Sequence, residues 1–215
     1  MQPIEKTIGV AVVGAALSTL SAFAYDLPPD LPARKPGLWE MRMTGIAEPN
    51  RVKAITKYCL DASTDRILHE LTIMRKELEV VFRDIGCQSP NITLAGDVMT
   101  GKMACRSNSP DDDEMAGADF RWTLTFKSDG EVVNEEHSIA SDVMFSGENQ
   151  TVEEQRWIGE CTADLKPGDG LDLGYSYNSD EWPSEAKPIN IHESLKAVEN
   201  LLKDGTEINK RLGPM

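Results

Sequence analysis

The stretch Phe120-Arg121-Trp122-Thr123-Leu124-Thr125-Phe126 places four large apolar side chains at alternate positions, with Arg121, Thr123 and Thr125 between them. Side chains of a strand point alternately to its two faces, so this segment reads as a strand with one buried and one wet face. Burying the four apolar side chains contributes about 8 to 10 kcal/mol as an upper figure, because an unfolded chain already hides some of that area. Such a strand belongs at the centre of an antiparallel sheet, the kind that packs on one face and is solvated on the other.

The rest of the chain supports that sheet. Leu38, Glu40 and Arg42 alternate with Trp39, Met41 and Met43 in a first strand, and a second short strand covers residues 52–59. Ile67, Leu71, Met74 and Leu78 then recur at helical spacing, with Asp61 or Ser63 as the N-cap of a helix over residues 62–78. Period two returns in strands at 85–94 and 98–106, separated by the turn Gly96-Asp97. Asp129-Gly130 supplies the positive φ angles of a type I′ turn, residues 131–143 return antiparallel, and a last strand spans 151–161. Gly, Asp, Pro, Tyr and Ser then dominate, so 166–189 reads as a loop. Asn190 and Glu193 resemble a capping box opening a helix with Ile191, Leu195, Val198 and Leu202 on one face, which Gly205 stops. This helix either packs on its own domain or is a partner-binding appendage. The expected fold is α+β: a curved antiparallel sheet of about six or seven strands, one helix laid on it and a C-terminal helix. The order of elements excludes alternating βα units.

The first residues carry an address. Lys6 precedes an apolar run over 8–24 that ends Ala22-Phe23-Ala24, the three parts of a secretory signal, so cleavage is expected after Ala24. The run is shorter than the roughly 20 residues that span a bilayer, and no Cys stands near the cut to accept a lipid, so no stable membrane anchor is expected. Residues 25–36, with Pro28, Pro29, Pro32 and Pro36, form a stiff lead-in to a domain over 37–165. Lys and Arg number 22 against 36 Asp and Glu, and the formal charge of -14 repels nucleic-acid backbones and anionic headgroups. In an oxidising compartment the four cysteines, Cys59, Cys87, Cys105 and Cys161, read as disulfides. Three connectivities are open; neighbouring strands favour Cys87 with Cys105, leaving Cys59 with Cys161. A zinc site is the competing reading, but no C-x-x-C pair is present.

Chemistry is harder to find. His69, His137 and His192 lie in separate elements with no metal-ligand spacing, and His69 on its helix reads as a solubilising residue. Asp111-Asp112-Asp113-Glu114 lacks the spaced ligands and turning Gly of a calcium loop, and Asp169-Gly170-Leu171-Asp172 is weaker still. No G-x-S-x-G elbow, P-loop, dinucleotide fingerprint or H-E-x-x-H helix occurs. No catalytic residue, metal ligand or cofactor is assigned. The candidate ligand face is apolar, Trp39, Phe120, Trp122 and Phe126, residues that equally serve to fill a core.

Lys35-Pro36-Gly37-Leu38-Trp39-Glu40, Cys59-Leu60-Asp61, Gly86-Cys87, Cys105 and the closing Gly159-Glu160-Cys161 together resemble the bacterial exported family of unknown function numbered thirty-six seventeen, over about residues 34–162. The resemblance implies an exported, periplasmic protein with no established activity, and it transfers no catalytic residue. The acidic run at 111–114 and the tail beyond Pro167 fall outside the pattern. The leading expectation is a non-enzymatic envelope protein that binds a protein partner or an apolar small molecule in the concave side of its sheet. One rival is a hydrolase or isomerase pairing a carboxylate with a His, which a cleft holding the two within hydrogen-bond reach would favour. Another is an assembly factor that docks through its C-terminal helix.

Overall fold

The computed structural model describes residues 25–47, 49–81, 85–108, 117–141 and 147–212, with side chains through Gly205. The expected leader and the acidic run at 111–114 lie outside the described residues. In chain order the elements are β1 (Gly37–Ala47), β2 (Asn50–Leu60), α1 (Ala62–Val81), β3 (Ile85–Cys87), β4 (Asn91–Ala95), β5 (Val98–Ser107) and β6 (Gly117–Ser128). There follow β7 (Glu131–Ser141), β8 (Gly147–Gly159), β9 (Asp169–Tyr177), β10 (Lys187–Asn190) and α2 (Ile191–Leu212). The strands form one open, curved sheet in the order β10-β9-β2-β1-β8-β7-β6-β5-β3, with β4 also on β5. Every pairing is antiparallel.

The sheet has ten strands, not six or seven. The stretch expected as one strand over 85–94 breaks before Pro90, which has no N–H to give a ladder, so β3 and β4 pair separately with the same edge of β5. The region expected as a loop over 166–189 contains β9 and β10. Glycine disguised β9: a Cβ on Gly170 would collide with the Lys57 carbonyl and the Tyr58 ring, so close pairing with β2 demands a residue that reads as a loop former. Gly174, at φ +86°, sits in a second irregularity where the β2–β9 register slips between Ala54 and Thr56.

Two local expectations are also corrected. Positive φ occurs among the described residues at Gly37, Gly96, Gly159, Gly168, Gly174 and Asn178, not at Asp129 or Gly130. The β6–β7 turn is therefore not type I′, and a register shift between Phe126 and Ser128 accommodates the twist instead. Gly205 does not stop the last helix, which continues to Leu212. One interior Gly costs about 1 kcal/mol relative to Ala, too little to end a helix already held by packing.

Phe120, Trp122, Leu124 and Phe126 share the concave face of β6 and form one core with Trp39, Tyr58, Leu68 and Ile73. The opposite side of α1 receives α2, where Leu71 and Met74 pack on Val198 and Leu202. Both helices are capped as expected: Asp61 Oδ1 accepts the N–H of Ser63 and Thr64, and Asn190 Oδ1 accepts those of His192 and Glu193. Gly37 has φ +136°, and a Cβ there would strike the Trp157 ring nitrogen and the Gly159 carbonyl. Trp39 beyond it is fully buried and donates from Nε1 to the Lys35 carbonyl at 2.8 Å. Disulfides join Cys59 to Cys161 and Cys87 to Cys105. The first ties β2 to the segment leaving β8, where Gly159 at φ +147° bends the chain, and the second joins opposed positions on β3 and β5.

Candidate ligand-binding site

The concave face changes character across its width. On β5 and β6 the inward side chains are apolar, including Met99, Met103, Phe120 and Leu124. On β7 they become Asn134, Glu136 and Ser138, and on β8 Asn149, Thr151, Glu153 and Gln155, while β1 returns to Met41 and Met43. Over this polar strip runs α1, presenting His69, Thr72, Lys76 and Glu79. Helix and strip enclose a cavity of about 360 Å³, within the size range of small-molecule sites. From β9, Tyr175 and Tyr177 stack at 6.4 Å between ring centroids and stand 60% and 61% exposed at its rim.

The inner end is closed by a buried charge network. Arg34, carried by the lead-in, donates to Asp65 and Gln155 and approaches His69 Nε2 at 3.2 Å. Its guanidinium also lies over the Trp39 ring, 5.7 Å from the centroid. Burial, reinforced by the Arg34 charge, pulls the His69 pKa down to about 3, so the ring is neutral. With Arg34 donating to Nε2, the ring proton resides on Nδ1. Farther along α1, Lys76 pairs with Glu136 of β7. Glu153 accepts a hydrogen bond from Gln155 Nε2 at 2.5 Å, and burial pushes its carboxyl pKa up. Asn134 Oδ1 and Arg34 Nε are buried without a hydrogen-bond partner. An unmet buried acceptor carries a desolvation cost of about 1 to 3 kcal/mol, and a ligand group can relieve it.

The residues singled out in the sequence fall elsewhere. Trp39, Phe120, Trp122 and Phe126 are 0 to 5% exposed, lie in the core and do not line this cavity. The four cysteines brace the frame. His69 is not a solubilising surface residue: it is 5% exposed, because its face of α1 meets the sheet, with Arg34 and the Phe126 ring against the imidazole. Its Nε2 stands 3.7 Å from Asp65 Oδ1, beyond hydrogen-bond reach. His137 does bond Glu148, at 2.7 Å, but on the solvent face of β7 and β8. Asp169 accepts the Lys166 N–H and the Asn190 amide, a loop staple. No group of three or more His, Cys, Asp or Glu suited to a metal occurs among the described residues.

The cavity had signals that sequence reading missed. Asp65, His69, Thr72, Lys76 and Glu79 recur at four- and three-residue spacings, a polar stripe between the two apolar flanks of α1. On β8 the pattern is inverted, with polar residues inward while Val152 and Ile158 are exposed. No described helix is long and apolar enough to cross a membrane. A comparison with curated proteins finds no match. Residues 34–161, more than half of the chain, match the family described as protein of unknown function (DUF3617), with the Pro-Gly-Leu-Trp-Glu start and the four bridged cysteines inside or at the edge of that span, and the chain belongs to this family.

Proposed function

We propose that this protein is an exported binding protein that holds a small molecule between α1 and the polar strip of its concave face. The observation that carries the reading is the unpartnered Asn134 Oδ1 beside a cavity of about 360 Å³. Two disulfides fit an oxidising compartment, and they give the open sheet the rigidity that a preformed site needs. The lining is mixed. Met41, Met43, Val52 and the two rim tyrosines offer apolar contact, whereas Asn134, Glu136 and Glu153 offer acceptors. The ligand is accordingly amphiphilic rather than wholly apolar, and Trp39, Phe120, Trp122 and Phe126 serve as the rigid floor behind it.

Binding accounts for this site better than acid–base chemistry. The His69 Nε2 lone pair is engaged by Arg34; His137 lines an open depression, but its partner Glu148 does not line it and both side chains are solvent-exposed. Docking through the last helix is less favoured too, since Leu195, Val198 and Leu202 of α2 pack on α1. Native mass spectrometry of protein purified from its own envelope tests the proposal: extra mass that disappears on denaturation supports it. The bare polypeptide mass in every preparation, with no small molecule in a thermal-shift panel raising the Tm, overturns it.

A further inference from the structure

The buried cations around the cavity are each paired with a carboxylate. Arg34 is paired with Asp65, and Lys76 with Glu136. Arg75 and Glu79 are exposed at the rim, where Arg75 hydrogen-bonds the Tyr58 hydroxyl. Glu153 has no ion-pair partner among the described residues; its one hydrogen bond comes from the neutral Gln155 amide. Directly opposite it in the β7–β8 register sits Asn134, 8% exposed, with its carbonyl oxygen unpartnered. Opposed residues of an antiparallel pair hold their Cβ atoms about 5 Å apart, so one small group can reach both side chains. The two together are a carboxylate that Arg34 and Lys76 influence only from beyond ion-pair distance and an acceptor with no donor, both lining the same cavity.

We infer that the ligand's head is a cationic ammonium, donating N–H bonds to Glu153 and Asn134 Oδ1 while its apolar part runs past Met43 and Val52 toward Tyr175. This rests on the cavity being the binding site. An ammonium supplies both missing elements, charge for the carboxylate and a donor for the amide oxygen. A carboxylate or phosphate head would instead face Glu153 across a partly desolvated space. The other unpartnered atom, Arg34 Nε, is a donor, but its guanidinium charge is already met by Asp65 and its other nitrogens bond Gln155 and His69. It creates no demand for an anion.

Three probes of one shape and different charge separate the possibilities: octylamine, 1-octanol and octanoate, titrated calorimetrically into the full chain at fixed ionic strength. Octylamine is expected to bind at least about tenfold more tightly than 1-octanol, with octanoate weakest. Glu153→Gln should weaken octylamine by about 10- to 100-fold, the loss of one charge-assisted hydrogen bond, and leave 1-octanol within about twofold. A cooperative melt by circular dichroism verifies that the variant folds; if it does not, Glu153→Asp, which keeps the charge but withdraws it by one methylene, should weaken octylamine selectively. Equal or tighter binding of 1-octanol or octanoate overturns the cationic head and leaves the cavity reading standing. If none of the three binds, both fall.

Discussion

Acidification should destabilise this protein through one imidazole. His69 is held neutral in the folded chain, its pKa lowered from 6.5 to about 3 by burial and by the neighbouring Arg34 charge. The unfolded chain takes up that proton near pH 6.5, whereas the folded chain refuses it until near pH 3. Stability from this group is thus complete above pH 6.5 and is lost as the pH falls toward 3. Integrated from pH 7.5 to pH 4.5, the loss is about 2.7 kcal/mol, a large part of the 5 to 15 kcal/mol typical of a domain. Urea unfolding at a series of pH values, in the native protein and in His69→Gln, isolates the effect. Glutamine can still accept from Arg34 but does not titrate, and contributions from other groups are common to both chains. Glu153 is one of these, with a raised pKa that acts in the opposite direction. The native protein should lose about 2.7 kcal/mol more than the variant between those two pH values, at unchanged m. Parallel curves, or a steeper fall in the variant, would refute the reasoning.

Other perturbations follow from the same structure. Opening the Cys59–Cys161 disulfide, which closes a separation of 102 residues, should cost about 4.7 kcal/mol as a C59A/C161A pair. The Cys87–Cys105 disulfide, at a separation of 18, should cost about 3.2 kcal/mol as C87A/C105A, so urea unfolding that ranks the two in reverse contradicts the chain-entropy account. Gly101→Ala puts a Cβ into the Trp122 ring and should destabilise by about 1 to 3 kcal/mol, with a changed near-ultraviolet tryptophan spectrum. Lys76→Met leaves Glu136 without its cation and should cost about 3 to 5 kcal/mol, much of it recovered in K76M/E136L; a thermal melt of all three chains checks the pair. Glu153→Gln should raise stability at neutral pH, because burial opposes the ionised form; an unchanged or lower urea midpoint at pH 7 would count against the raised pKa.

What could be read from the sequence was whatever a few adjacent residues decide. The alternation from Phe120 to Phe126 and the caps at Asp61 and Asn190 are local patterns, and each appears in place. β9 escaped because its pairing depends on Gly170 having no side chain where Lys57 and Tyr58 come close, a long-range demand that looks locally like a turn. The cavity escaped for a related reason. Glu136 and Glu153 occupy inward strand positions, but an inward carboxylate and a solvated one are the same letter until the covering helix is known. His69 is the clearest case: its burial depends on Arg34 of the lead-in and on Phe126 of β6, more than fifty residues farther along the chain.

The matched family span ends at residue 161, and β9, with the two stacked tyrosines at the cavity rim, lies beyond it. The cavity rim is thus shared between α1, inside that span, and β9, outside it. The disulfides tie the part within the span, while β9 holds its tyrosines at the rim by pairing with the flank of β2. Because Tyr175 and Tyr177 are largely exposed, replacing them alters the mouth of the cavity at little cost to the core.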